Sequence, residues 1–318
     1  MSESKHGDVM HIACATDAGY FRHCGTMLTS VLAFNNNVHA HVLCMPDVPQ
    51  ADRDRLSEWA RDHGAVIDCL VPDVGLPEKL PGIARLGRTT WLRMFLPEAL
   101  PELSRIIYLD VDVIVRDSLR PLWDLDLGKN CVAAATDVPK KVGGMFPYLR
   151  VGFTNPDDYF NAGVLLIDLR RFASERVASR ALRFAAENPD KVALADQDSL
   201  NVVLRGHRLR LPMRWNVLAP VHEGDATREV FPFSAEEEAE ARARPAVIHY
   251  SGLWKPWHYR SKHPLRAFYA NYRKQGAWPD WSLEGKTLKH AFLRLFPEST
   301  AWWMSHYYQT IRHGLKLW

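Results

Sequence analysis

Cysteine is scarce in this chain and poorly placed for structural work. The five residues Cys14, Cys24, Cys44, Cys69 and Cys131 are scattered, odd in number and contain no CxxC pair. A disulfide framework and a cysteine zinc site are thereby excluded, and a reducing compartment is expected. No uninterrupted apolar run reaches membrane length, and the opening Met1–Asp8 is polar with no apolar signal core, so a cytoplasmic protein is expected. Charge of neither sign is in surplus: 40 Lys plus Arg face 37 Asp plus Glu, a formal +3 that gives no support to nucleic-acid binding. There is no internal repeat and no GxGxxG fingerprint. Gly82 to Thr89 imitates a phosphate-binding loop, but Arg88 stands where GxxxxGK[ST] needs lysine and no buried strand precedes it.

What is present is a balanced globular composition. The 318 residues are 47% hydrophobic and 24% charged, enough for one large domain, or one with an appendage. Val9 to Ala15 reads as a strand and is followed by a helix through Met27, Leu28, Val31 and Leu32. A second strand, Ala40 to Met45, precedes an amphipathic helix carrying Leu56, Trp59 and Ala60, and Val66 to Leu70 is a third strand. This βαβαβ alternation predicts an α/β fold with a parallel, nucleotide-binding sheet. Further on, a loop at 72–87 leads to a helix around 89–96, strands around Ile106, Val132–Ala135 and Val164–Asp168, and helices near 170–187 and 196–205. The turn-rich stretch 139–159 is long enough to be functional, and a lid is expected there. Glu236–Glu238 fit a solvated helix face.

Two segments carry chemistry. Arg105 to Leu109 is an apolar strand that ends abruptly in Asp110-Val111-Asp112. Ligands of open α/β sheets collect beyond the carboxyl ends of strands, and two hard oxygen donors suit a divalent cation on a substrate's phosphates. An acidic turn solvating a strand end explains this pair equally well. Ala246 to Trp257 again runs from an apolar strand into polar groups. His249 offers an imidazole to a carboxylate-bound ion such as Mn²⁺, Gly252 permits close backbone approach, and Lys255 is a compact charge for phosphate. Singly, each has an ordinary structural explanation; together with the paired aspartates they point to one site.

Leu109-Asp110-Val111-Asp112 together with the HxxGxxKPW stretch His249–Trp257 resembles the retaining, nucleotide-sugar-dependent glycosyltransferases of family 8, which have the GT-A fold. Cys14–Asp17, Thr89–Arg93, Phe160–Gly163 and Asp196–Asn201 match in the family's order. The resemblance implies a hexosyltransferase that moves galactose or glucose from a UDP-sugar to a saccharide, in lipopolysaccharide or another cell-surface glycan. It implies a metal, Mn²⁺ or Mg²⁺, on Asp110, Asp112 and His249. It places Ala15, Thr16 and Asp17 at the uracil, Arg93, Asn161 and Ala162 at the donor sugar, and Asp137 near sugar or acceptor. Val111, Gly252 and Lys255 would line the diphosphate. Gln197 would sit nearest the anomeric carbon as a catalytic residue, with Asp196 binding a sugar hydroxyl and Asp198 structural. Where the family often has Asn two residues after the base-binding Asp, this chain has Gly19.

Two rivals remain open at this point. A haloacid-type phosphotransferase would use Asp110 as nucleophile and Asp112 as acid/base, leaving His249–Trp257 without a role; the other rival is a nucleotide-sugar-binding protein without turnover. After Trp257 the composition changes: rings (Phe268, Tyr269, Tyr272, Trp278, Trp281, Trp302, Trp303, Trp318) interleave with Arg266, Arg273, Lys274, Lys286, Lys289, Arg294, Arg312 and Lys316. Domains are therefore expected at 1–263, catalytic, and 264–318, a helical tail. Rings and basic stems suit an anionic headgroup layer, so the tail is expected to hold the enzyme peripherally on the inner face of the cytoplasmic membrane, near a lipid-linked oligosaccharide acceptor.

Overall fold

A computed structural model describes residues 9–73, 75, 87–222, 229–280 and 282–295. These contain strands β1 (Met10–Thr16), β2 (Val38–Cys44), β3 (Val66–Leu70), β4 (Arg105–Leu109), β5 (Val113–Val115), β6 (Val132–Thr136), β7 (Phe160–Asp168), β8 (Arg208–Leu211), β9 (Val217–Leu218) and β10 (Val247–His249). Seven form one sheet in the order β3-β2-β1-β4-β7-β6-β8, and β5-β10-β9 form a smaller one. The α/β fold class and its parallel, doubly covered start are as the sequence predicts. The central strands are apolar on both faces because both faces are packed. Ile12, Cys14, Ala40 and Val42 meet the helices Phe21–Leu32 and Gln50–Asp62, while Ala13, Ala15 and Leu43 pack with Trp91, Leu92 and Met94 on the other side.

One strand breaks the parallel pattern: β7 runs antiparallel to both β4 and β6. Its N-terminal residues therefore lie at the sheet edge where β1, β4 and β6 end, and that edge is where the site is built. The turn at Asp110–Asp112 passes the chain from β4 in the large sheet to β5 in the small one. There β5 pairs with β10, setting His249 opposite Val113.

Several expectations need correction. The helix near 89 is a 3₁₀ turn, Thr89–Phe95, followed by a short α-helix Leu96–Ala99 with Pro97 in its first turn, where a missing N–H is harmless. The helix expected at 170–187 is two, Leu169–Ser174 and Val177–Glu187, because Arg176 takes a left-handed conformation at φ 52°. Within the stretch 139–159, Phe146, Tyr148, Val151, Phe153 and Tyr159 form an apolar cluster of their own, while Met145 and Leu149 are exposed.

The boundary at 263/264 cuts through a packed unit. The helix Arg266–Gln275 lies against Phe21–Leu32, Tyr269 and Tyr272 are buried with Tyr250 and Trp257, and Trp278 enters the main core edge-on to Phe21 at 5.8 Å. These three rings are thus core, unavailable to a membrane. Most of the imitation phosphate loop (82–86), Trp281 and the tail from 296 lie outside the described residues. Among the described residues no helix is long and apolar enough to cross a membrane.

Candidate active site

The carboxylate pair is held by backbone bonds on both sides. The Asp110 N–H donates to the Gly163 carbonyl at 2.8 Å, and the Tyr250 N–H donates to the Asp112 carbonyl at 3.0 Å. β7 and β10 are thereby locked to the turn, and the side chains converge. One ligating atom from each of Asp110, Asp112 and His249 lies within 4.8 Å of the others. His249 Nε2 is 3.3 Å from Asp112 Oδ1 and 4.0 Å from Asp110 Oδ2.

The chemistry of this set fits a divalent ion. His249 is buried, and its Nδ1 bonds to Asn216 Oδ1 at 2.9 Å, so Nδ1 carries the proton and Nε2 presents its lone pair to the carboxylates. Space is reserved as well: a Cβ on Gly163 would fall 2.3 Å from His249 Cε1 and 2.9 Å from Asp110 Oδ2. Lys255 Nζ donates to Asp112 Oδ2 at 2.5 Å and to the Tyr250 carbonyl at 2.8 Å. Burial opposes ionisation of Asp112, but the Lys255 ammonium beside it overcomes this and holds the carboxyl well below its usual range.

Arg93 ties this cluster to a second one. Fully buried, it donates from Nη2 to Asp110 Oδ1 at 2.9 Å and from Nη1 to the Ala162 carbonyl, pairs through Nε with Asp196 Oδ2 at 2.8 Å, and lies over the Tyr108 ring at 4.3 Å. Burial works against its charge, yet Asp110 and Asp196 keep it cationic. Burial also raises Asp196 to about 6 against the pull of Arg93; beside a guanidinium that keeps its proton, both are ionised at pH 7.

The amide of Gln197 is fully engaged. Its Oε1 accepts from the Ala162 N–H and from Asn161 Nδ2, both at 3.1 Å, and its Nε2 donates to Asp137 Oδ2 and Tyr159 Oη, both at 3.2 Å. Asp137 is raised to about 6 by burial, with the bonds from Asn161 and Gln197 pulling the other way. Asp198 accepts from Tyr159 Oη at 2.5 Å and from the N–H groups of Ala193 and Leu194 at 2.6 Å, the structural role expected of it.

At the end of β1, Ala15 and Thr16 are buried and Asp17 is partly exposed. Asp17 Oδ1 accepts from the Tyr20 N–H at 3.0 Å and Oδ2 from the Thr89 hydroxyl at 3.1 Å. The residues expected at a metal, at a donor sugar and at a base thus share one sheet edge, with Val111 inside the carboxylate turn. Gly252 is less constrained than expected, since a Cβ there would meet only Ala219 Cβ at an ordinary 3.8 Å. Sequence reasoning missed Asn216, Tyr159 and the Gly163 cradle. Asn216 sits in an irregular segment without a pattern, whereas Gly163 could have been found as the small residue beside Asn161-Ala162.

Comparison with known proteins identifies the family and the fold. The sequence matches the profile described as glycosyl transferase family 8 over residues 11–261. It is 28% identical to general stress protein A of Bacillus subtilis, over 85% of this chain and 95% of that protein. It is 26% identical to lipopolysaccharide 1,2-glucosyltransferase of Escherichia coli, over 86% of this chain and 80% of the relative. Among solved structures, galactosyltransferase LgtC in complex with donor and acceptor sugar analogues superposes with a TM-score of 0.69 at 28% identity, covering 84% of this chain and 96% of that one.

Proposed function

Because this chain belongs to glycosyl transferase family 8 and is a glycosyltransferase, we propose that it moves a hexose, galactose or glucose, from a UDP-sugar to a saccharide hydroxyl with retention of configuration. The observation that carries the reading is the meeting of Asp110, Asp112 and His249, drawn from two distant segments, in a cradle kept open by Gly163. Asp110, Asp112 and His249 would hold Mn²⁺, or Mg²⁺, which would supply Lewis acidity to the diphosphate leaving group. The imidazole ligand favours Mn²⁺ of the two.

The chain's own groups do the rest. Lys255, which neutralises Asp112, is the cation available to the diphosphate oxygens beside the backbone near Gly252. Ala15, Thr16 and Asp17 receive the uracil. Gly19 offers no side chain to the nucleoside, so Asp17 carries more of that recognition. Arg93 fixes Asp110 and Asp196 at once, holding the metal side and the sugar side in register. Asp196, Asn161, Ala162 and Asp137 line the sugar. With both ends of its amide already bonded, Gln197 is a poor nucleophile and a well-anchored dipole, suited to stabilising an oxocarbenium-like state while the acceptor attacks.

The acceptor in this reading is a lipopolysaccharide or another cell-surface saccharide, as in the relatives' names. The catalytic body runs through at least Glu284, whose backbone bonds to Trp257 and Tyr259, and the membrane-associating tail is confined to residues beyond it, at the cytoplasmic face. A phosphotransferase gains nothing from the arrangement, because it leaves Lys255 and His249 unused. UDP release from UDP-galactose and UDP-glucose with Mn²⁺, with and without saccharide acceptors, tests the proposal. Metal-dependent UDP formation is expected. Full activity in EDTA, or phosphate released through Asp110 without UDP, would overturn it, and tight donor binding without any UDP would favour the non-catalytic rival.

A further inference from the structure

Away from the carboxylate cluster, three imidazoles share one face of the large sheet. His11 of β1 pairs directly with His39 of β2, and His41 lies two residues further along β2, so parallel register and the two-residue period of strands put all three on the same side. His11 Nδ1 and His41 Nε2 are 3.0 Å apart, the His39 and His41 rings stack at 4.2 Å, and one ligating nitrogen from each of the three lies within 4.8 Å of the others. Asp68 of β3 joins from the next strand, its Oδ2 2.6 Å from His39 Nε2. His41 is buried, and its Nδ1 has no hydrogen-bond partner.

Such a cluster is rich in ring nitrogens: one proton suffices for the His11–His41 contact, and an ion bound between the rings would displace it. Burial lowers His41 to about 4, with His39 and His11 adding to the effect, and burial likewise lowers His11, so at neutral pH these two rings are uncharged. Neutral imidazoles prefer Zn²⁺, Ni²⁺ or Cu²⁺ to oxygen-loving ions. We propose that His11, His39 and His41 form a second divalent-cation site, selective for Zn²⁺ over Mn²⁺, with Asp68 as the outer partner of His39.

The geometry is near what such an ion needs. Tetrahedral Zn²⁺ with bonds of about 2.0–2.1 Å holds its ligand nitrogens roughly 3.3 Å apart, close to the His11–His41 separation. His39 is partly exposed and closes the remaining gap by side-chain rotation. The bond from His39 Nε2 to Asp68 leaves Nδ1 with the lone pair, the orienting arrangement that ligating histidines commonly have. Asp17, six residues beyond His11, lies about 20 Å along the chain at roughly 3.3 Å per residue, so this ion is a clamp joining β1, β2 and β3 and takes no part in transfer.

Calorimetric titration of metal-stripped full-length protein with Zn²⁺ tests it. Two ions are expected in the wild type, one in His39→Gln and one in Asp112→Asn, with His39→Gln leaving UDP release unchanged. His11→Gln should weaken the same ion at least tenfold, as loss of a ligand costs no less than the ~10–100-fold of an outer partner. Because this site and the donor site are counted separately, a single ion lost in His39→Gln but kept in Asp112→Asn would sink the donor-metal reading and leave this one standing. Unchanged stoichiometry in both His39→Gln and His11→Gln would overturn the proposal. Should those variants misfold, Co²⁺-loaded Asp112→Asn protein must show the visible absorption of a tetrahedral site; a featureless spectrum refutes the site.

Discussion

Gly163→Ala adds one methyl group and should cripple the metal site. The new Cβ would lie 2.3 Å from His249 Cε1, 2.8 Å from Nδ1 and 2.9 Å from Asp110 Oδ2. Carbon–carbon contact is comfortable from about 3.5 Å, so the imidazole must retreat by roughly 1 Å. It cannot do so freely. His249 is bonded to Asn216, and Asn216 Nδ2 in turn donates to Asn161 Oδ1 at 2.9 Å, so a shift propagates into the sugar side. Metal–ligand distances tolerate only about 0.2 Å. The Mn²⁺ concentration for half-maximal UDP release should rise at least tenfold, about 1.4 kcal/mol, and overpacking should cost roughly 1–3 kcal/mol of stability. Gly252→Ala is the companion: its Cβ meets nothing closer than 3.8 Å, so thermal stability and the Mn²⁺ midpoint should hold while donor KM rises. A Gly163→Ala enzyme with the wild-type Mn²⁺ midpoint would refute the cradle.

Arg93→Ala should remove activity and lower stability by about 3–5 kcal/mol, because Asp196 is left buried and uncompensated; a thermal melt within a degree of wild type would contradict this. Asp198→Ala should lower the melting temperature through loss of its bonds to Tyr159, Ala193 and Leu194, with donor KM changed far less than stability. Asp137, raised to about 6 by burial, keeps its proton in the folded state where the unfolded carboxyl has already lost it. Its stabilisation is therefore full below about pH 4 and is lost as pH rises through about 6, a decline approaching ~3 kcal/mol. Asp137→Asn should flatten that part of a denaturation-versus-pH curve, and an unaltered slope would show that another group titrates there. Removing residues 296–318, which hold Trp302, Trp303, Trp318, Arg312 and Lys316, should spare UDP release and reduce binding to anionic vesicles at low salt; equal vesicle binding would end the anchor reading.

The sequence by itself determined the α/β class, the first three strands, the carboxylate turn after β4 and the histidine–lysine loop after β10, because each is written in a local pattern of a buried strand ending in polar chemistry. It also marked Arg93, Asn161, Ala162, Asp196 and Gln197, though only through motif resemblance. The antiparallel course of β7 was not legible, since a strand buried on both faces has the same composition in either direction. Nor was the break at Arg176, where neither glycine nor proline announces a left-handed residue. The fate of the aromatic tail was decided in three dimensions: Tyr269, Tyr272 and Trp278 have the composition of an interfacial belt, yet the helix Phe21–Leu32 offers them a face to bury against. Asn216, Gly163 and the His11–His39–His41 cluster depend on which strands become neighbours and in what register. That is a property of long-range pairing, and no local window of the chain contains it.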